Sequence, residues 1–266
     1  MRSLIRNILL KSGLLYRIQY SQLYRKYKIP GYKKEIDELF KFYNELFKGN
    51  TPSLIFDIGA NAGNHTYIFS KICRKVVCVE PDEMNNKILH SRFGKNKNII
   101  IEKKAVTEKE GVATFYMEAE GSVFNTLSNK WVALLKNEGQ SRFDELHVFK
   151  ETKEVQTISL DKLIQQYGIP DYIKIDVEGF EKEVISGLHK KISIIGFECN
   201  LPEFTGETVW IIDHLSKINN DATFNFMQDK GFELENNIAQ KEMSDLVNSG
   251  KFRFMDIYCF NERTNK

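Results

Sequence analysis

The stretch FDIGANAGNHTYIFS at residues 56–70 decides how the rest of the chain is read. An apolar run reaches Asp57, passes through Gly59 and Gly63, and continues into a helical pattern. Strand, tight turn and helix in that order hold ligands beyond the carboxyl ends of the strands in open α/β sheets. Glycines let the backbone turn sharply and approach a ligand closely. The dinucleotide fingerprint G-x-G-x-x-G is missing, because Asn61 follows Ala60 where the second glycine would stand. The turn is therefore expected to hold something other than a pyrophosphate.

One strand later, VVCVE (76–80) ends in Glu80, 23 residues after Asp57, and Pro81 follows. A carboxylate at that place accepts hydrogen bonds from the two hydroxyls of a ribose. The helix that begins near Gly63 and Asn64 directs N–H groups and a positive dipole end at a negative group. A nucleoside with free ribose hydroxyls and a small carboxylate meets both demands. S-adenosylmethionine has the ribose, the adenine, a carboxylate and an ammonium, and no phosphate. Asp57 is expected as an acceptor toward the ammonium, and Asn61 as an amide beside the methionine end. NAD, which would make the chain a dinucleotide oxidoreductase, is the alternative.

Outward from this turn, short apolar runs alternate with helical patterns, which predicts a doubly wound, mostly parallel sheet. Strands are expected at 54–58, 76–80, around 98–106, 113–117, 171–176 and 192–199, with a helix opening at Pro81. Ser159 is expected to cap a short helix that ends near Gly168. Residues 210–230 read as mostly helix. GFELE (231–235) and FRFMDIYCF (252–260) read as two closing strands with no helix between them, the last one antiparallel. Between about 118 and 153 the alternation lapses, longer than a usual connection. This segment holds Phe124, Trp131, Phe143, His147 and Phe149, and reads either as a substrate cover or as a packing subdomain.

The first 34 residues contain nine Lys or Arg and no acid, although the 266-residue chain has a formal net charge of only +2. Apolar positions Ile36, Leu39, Phe40, Tyr43, Leu46 and Phe47 recur at three and four and mark a helix face. Residues 1–50 thus read as a basic helical N-terminal extension, with a break at Pro30-Gly31. Its basic residues either stay solvated or, across residues 1–34, meet an anionic membrane surface. No apolar run approaches the ~20 residues of a membrane span. Cys73, Cys78, Cys199 and Cys259 form no metal-type spacing and are expected as free thiols in the cytoplasm, at the inner membrane surface if the extension meets lipid. No basic-aromatic strip marks the catalytic region as a nucleic-acid binder, and no nucleic-acid partner is expected.

FDIGANAGNHT, VVCVEPD, KKAVTEKEGVATFY, TISLDKLI, IKIDVEGFEKEVISGL and IIGFECN, in this order and spacing, resemble the FkbM-type family of S-adenosylmethionine-dependent methyltransferases. The resemblance runs over roughly residues 54–200. It implies a class I methyltransferase (Rossmann-like) fold over residues 51–266, with strand order 3-2-1-4-5-7-6 and strand 7 antiparallel. It also implies O-methylation of a hydroxyl, often on a sugar or a glycan. Cofactor contacts are then expected from Asp57, Gly59, Ala60, Asn61, Gly63, Asn64, Glu80, Pro81, Ala105 and Asp176. Asp176 and Glu178 close one strand, and Glu198 and Asn200 close the strand that the implied order sets beside it. These acids would stand near the methyl group as base, as orienting groups for a sugar hydroxyl, or as oxygen ligands of Mg²⁺. His147 is a further candidate base if the aromatic loop closes. A non-catalytic S-adenosylmethionine-binding module and a natural-product O-methyltransferase are the other readings.

Overall fold

The structure, a computed structural model, describes residues 18–136, 147–228 and 231–261. The chain runs α1 (Gln22–Lys28), α2 (Tyr32–Leu46), β1 (Ile55–Ile58), α3 (Asn64–Ile72), β2 (Val76–Val79), α4 (Glu83–Phe93), β3 (Ile99–Glu102), β4 (Ala105–Val106), β5 (Gly111–Met117) and α5 (Asn129–Lys136). It continues with β6 (Glu151–Ile158), α6 (Leu160–Tyr167), β7 (Tyr172–Ile175), α7 (Glu181–Ser186), β8 (Ile194–Asn200), α8 (Thr205–Ile218), β9 (Thr223–Met227), β10 (Ile238–Ala239), α9 (Gln240–Asn248) and β11 (Phe254–Phe260).

β1 and β2 are unbroken apolar runs, apart from Asp57, and every residue in them is buried. Such strands need helices on both faces, which is the condition for a parallel sheet. The main sheet has the order β3-β2-β1-β7-β8-β11-β9-β10. β3, β2, β1, β7 and β8 run parallel, and β11 is antiparallel to both β8 and β9. This is the class I methyltransferase order, with β10 added at one edge.

The first face of the sheet is covered by α2. Tyr32, Ile36, Phe42, Tyr43 and Leu46 are buried there with Phe69, Tyr172 and Tyr258. The three-and-four spacing of the sequence places them on one side of the helix. On the second face Phe56, Ile173, Ile175 and Phe197 pack with Leu163, Val184 and Ile212 from α6, α7 and α8. Residues that alternate along a strand share a face, and in-register neighbours share it too. Asp57, Lys174 and Gly196 stand in one row, and Glu198 is paired with Asp256. A polar row therefore crosses the α2 face just below the carboxyl edge of the sheet.

Several expectations are corrected. Ala113–Met117 lies in β5, but β5 leaves the main sheet and joins β4 and β6 in a separate three-stranded sheet. β6 is not predicted by the sequence pattern, since its first four residues are all exposed. The 118–153 segment is the connection between β5 and β6, whose ends meet at Met117 and Glu151, and it carries α5. Pro81 does not open a helix: Asp82 is the N-cap of α4, its carboxylate accepting from the Asn85 N–H at 3.0 Å. The helix expected over 210–230 ends at Ile218, and β9 follows. GFELE is not a strand, because the Asn225 side chain satisfies the backbone N–H and C=O of Leu234. α9 stands before β11, which is antiparallel all the same. Ser159 caps α6 as expected, accepting from Lys162 at 3.2 Å.

The four cysteines are free thiols, three of them buried. No helix among the described residues is long and apolar enough to cross a membrane. Of the helical extension expected over residues 1–50, residues 1–17 lie outside the described residues.

Candidate functional site

At the carboxyl ends of β1, β2 and β7 the sheet opens into a cavity. Of the residues expected to contact the cofactor, Gly59, Asn61, Glu80, Pro81, Ala105 and Asp176 line it, together with Glu178. Ala60, Gly63 and Asn64 stand outside the lining. So does Asp57, which is fully buried and accepts from the Thr66 hydroxyl of α3 at 2.5 Å. Burial pushes its carboxyl up, against the opposing pull of Lys174.

The turn after β1 is built by three left-handed residues, Gly59, Asn61 and Gly63. A side chain at Gly59 would place its Cβ 1.8 Å from the Asp176 carbonyl oxygen, so only glycine lets β1 and β7 end side by side. At Gly63 a Cβ would meet Phe93 and Leu89 of α4 at 2.6 and 2.7 Å. Asn61 tolerates its conformation because its side-chain amide oxygen accepts from the Ala62 N–H at 2.6 Å. Every N–H from Gly59 to Gly63 donates within the protein. Those of Gly59 and Ala60 go to Val79, that of Asn61 to Glu80, that of Ala62 to the Asn61 side chain and that of Gly63 to Ala60. The expected free donors for a carboxylate are thus absent from residues 59–63.

Glu80 receives the Asn61 and Asp82 N–H groups, one on each oxygen, both at 2.8 Å. A carboxylate has about four acceptor positions, so lone pairs remain on the cavity side. Burial lifts Glu80 to about 7 in spite of these two bonds.

Across the cavity the turn after β7 brings the acids together. Asp176, Glu178 and Glu198 each place one carboxylate oxygen within 4.8 Å of the others. Asp176 accepts from the Lys174 ammonium at 2.8 Å. Burial acts to raise Asp176, but Lys174 outweighs it and holds the carboxyl below its ordinary range. Glu198 and Glu178 are pushed well up by burial, with the Asp176 charge adding to it. Asp256, opposite Glu198 on β11, rises to about 7 for the same two reasons. The cluster therefore sets one carboxyl held below its ordinary range among neighbours pushed above theirs.

Glu178 has a left-handed backbone, φ 56°, which is strained for a residue with a side chain. Two contacts fix it. The Thr126 hydroxyl donates to its carbonyl oxygen at 2.8 Å, and Glu181 accepts from Val177 and Gly179 on either side at 3.2 and 3.3 Å. Lys174, Glu181, Asp256 and Thr126 were not singled out by sequence. Lys174 was legible in principle: two residues before Asp176 on a strand, it shares its face.

Ser122, Val123, Asn125, Thr126 and Leu127 form one wall of the cavity. Asp82 ties them down by accepting from the Gly121 N–H at 3.2 Å and the Asn125 amide at 3.1 Å. Of the two readings of this segment, cover or packing subdomain, its described aromatic side chains follow the second. Trp131, Phe124 and Phe149 pack with Phe204 in a separate apolar cluster. His147 does not line the cavity either; it is buried against the Phe124 ring and paired with Glu118 at 2.8 Å. Phe143 lies outside the described residues. His65 bonds the Tyr43 hydroxyl at 3.0 Å, and burial lowers it to about 3, so it stays neutral.

Among curated proteins none matches this sequence. Among solved structures, methyltransferase FkbM from Methylobacillus flagellatus KT aligns at 14 % identity and TM-score 0.49, over 84 % of this chain and 47 % of that one. This chain thus spans about half the length of that protein. The plantazolicin methyltransferase BpumL, solved in complex with a desmethylPZN analogue and SAH, aligns at 11 % identity and TM-score 0.42, over 98 % of this chain and 100 % of that one. A putative RNA methyltransferase from Pyrococcus horikoshii aligns at 12 % identity and TM-score 0.39, over 88 % and 85 %. The methyltransferase FkbM domain model matches residues 57–234, more than half of the sequence, and so the chain belongs to the FkbM methyltransferase domain family.

Proposed function

We propose that the protein is an S-adenosylmethionine-dependent O-methyltransferase whose acceptor is a hydroxyl of a saccharide or glycolipid-like molecule. The observation that carries the cofactor is the make-up of the cavity lining, which is rich in acceptors and poor in donors. It has three carboxyl groups, Glu80, Asp176 and Glu178, against one ammonium, Lys104. Its glycine turn keeps no N–H between Gly59 and Gly63 for a phosphate. Such a lining does not suit a pyrophosphate, which needs donors, and suits a ligand that brings ribose hydroxyls and an ammonium. Glu80 is placed to accept from ribose hydroxyls, and Asp176 to face positive charge.

When bound, the cofactor supplies an electrophilic methyl group. The chain has to align the acceptor hydroxyl and take its proton. Asp176, kept ionised by Lys174, orients the hydroxyl by accepting from it. Glu178, raised by burial, is the stronger base once ionised and is held at the cavity wall by its strained turn. A polyol matches the polar wall of Ser122, Asn125 and Thr126. The oxygen spacing of Asp176, Glu178 and Glu198 would fit a cation, but Lys174 already supplies the counter-charge to Asp176. No step of this reading needs Mg²⁺.

The test has two parts. S-adenosylhomocysteine should raise the melting temperature and NAD(H) should not; the reverse result rejects the cofactor. Methyl transfer is then measured on a panel of nucleotide sugars, oligosaccharides and glycolipids, with and without Mg²⁺. Transfer only to non-sugar hydroxyls rejects the acceptor class, and loss of transfer without the metal rejects the metal-free mechanism.

A further inference from the structure

We infer that the outer side of α1 and its turn into α2 form a docking surface for an anionic lipid bilayer. The inference is independent of the methyl-transfer reading. Eight large apolar residues are well exposed among the described residues, and four of them fall in the short span 18–29. They are Ile18, Tyr24, Ile29 and Tyr27, the last 86 % exposed. A cluster of that kind is costly in water and marks a contact surface.

The charges between them decide the partner. Lys26, Lys28, Lys33 and Lys34 surround Tyr27 and Ile29, and the first acid of the chain is Glu35. Lys33 is paired with Asp37 at 2.8 Å, while Lys26, Lys28 and Lys34 form no ion pair among the described residues. A shallow groove beside them is lined by Lys26, Lys33, Lys34 and Lys41 against two acids, Asp37 and Glu38, so lysines are in excess there. Tyrosine and isoleucine set among an excess of lysines match the interfacial layer of a bilayer: the apolar side chains enter the headgroup region while the ammonium groups meet anionic lipid. The sixteen residues before Arg17 continue this composition, with Arg2, Arg6, Lys11 and two leucine-rich stretches.

The inner side of α1 makes the surface a fixed one. Arg25 donates to the Asn64 side chain at 2.5 Å, at the start of α3, and lies 4.3 Å over the Tyr32 ring. Tyr20 has two guanidinium groups over its ring, those of Arg25 and Arg92. Arg92 in turn donates to the Ala62 carbonyl behind the glycine turn. The helix is thus clamped to the back of the β1 turn, and its orientation on the domain is set.

The experiment is co-sedimentation of the full chain with vesicles of phosphatidylcholine alone and of phosphatidylcholine with about one third phosphatidylglycerol. Binding is expected to the second and not to the first, and to weaken with salt. Each surface lysine contributes about fivefold to such partitioning, so Lys26→Gln, Lys28→Gln and Lys34→Gln together should lower it about a hundredfold. Tyr27→Ser with Ile29→Ser should lower it about tenfold. Melting temperature and S-adenosylhomocysteine affinity should be unchanged in both variants, which separates this surface from the cofactor site. The inference is overturned if the parent ignores anionic vesicles, or if both variants sediment like the parent. It is equally overturned if the parent is a dimer that Tyr27→Ser with Ile29→Ser disperses, or if the same lysines bind RNA in preference to vesicles.

Discussion

Two strand-turn-helix units face each other across the cavity, one after β1 and one after β7, and they solve the same backbone problem differently. Each contains left-handed residues, Gly59, Asn61 and Gly63 in the first and Glu178 and Gly179 in the second. Each is stapled by a carboxylate that accepts backbone N–H groups, Glu80 in the first and Glu181 in the second. Glycine and asparagine carry the strain in the first turn at little cost. In the second a glutamate carries it, and that glutamate points its charge problem at the cavity. The first turn is built for shape. The second stores strain and like charge where chemistry is expected.

The sharpest way to break this comparison is Gly59→Ala. The added carbon would sit 1.8 Å from the Asp176 carbonyl, so both turns would have to separate. Loss of the cooperative melting transition or of all S-adenosylhomocysteine binding is expected. A variant with parent-like melting and binding would show that the two turns are not mechanically joined.

Asp176→Asn comes next. Removing an orienting anion in a buried site is expected to lower kcat about 10²- to 10³-fold, with cofactor affinity changed much less. If kcat holds while cofactor affinity drops, Asp176 belongs to cofactor binding alone.

Glu80→Gln tests the first turn. It swaps an acceptor of ribose hydroxyls for an amide and should weaken the cofactor about 10- to 100-fold, as loss of charge-assisted hydrogen bonds does. Because Glu80 is lifted to about 7, the parent should also bind more weakly as pH falls through that value. Calorimetric titration at several pH values checks both; a pH dependence that survives in Glu80→Gln places its origin elsewhere.

Glu178→Gly separates strain from function. Glycine relieves the left-handed backbone and removes one of the crowded acids, so a gain of about 1 kcal/mol in stability is expected with a large loss of turnover. Chemical denaturation and kinetics on the same sample decide it. A destabilised variant would mean that the glutamate side chain is needed for folding.

The smallest effect is the pH dependence of the ligand-free chain. Glu80, Glu181 and Asp256 each rise to about 7 in the folded state, above their ordinary values of 4.5, 4.5 and 3.8. Between those values the folded chain keeps protons that the unfolded chain has lost, so stability falls as pH rises through that window. His65, lowered from 6.5 to about 3, opposes this in the same window, one group against three, and Asp176, shifted down, does so only below its ordinary value of 3.8. A melting temperature that climbs between about pH 5 and about pH 7 would contradict these protonation states.

Much of this was legible before any coordinates. The runs at 55–58 and 76–79 are buried on both faces, as is 172–175 except at Lys174, and near-continuous hydrophobicity, broken only by Asp57 and Lys174, is the mark of a central parallel strand. Asp176, Glu178 and Glu198 were legible as strand ends that converge once the strand order is known. β6 was not legible, because a mostly solvated strand in a small second sheet has no apolar alternation to reveal it. β9 was read as helix because it follows a helical pattern directly. What settles it is the Asn225 side chain bonding Leu234, a contact nine residues away that no local pattern records.

The sequence by itself determined the fold class, the two turns and the identity of the acids, since periodicity and glycine placement are local properties of the chain. Only the tertiary structure decided what those acids are. Asp57 was withdrawn into the core by Thr66, and His147 was drawn to Glu118 and Phe124, away from the cavity. Lys174 made Asp176 the firm anion of the cluster. Charge state depends on burial and on partners within a few ångströms, and those are set by packing between segments far apart along the chain.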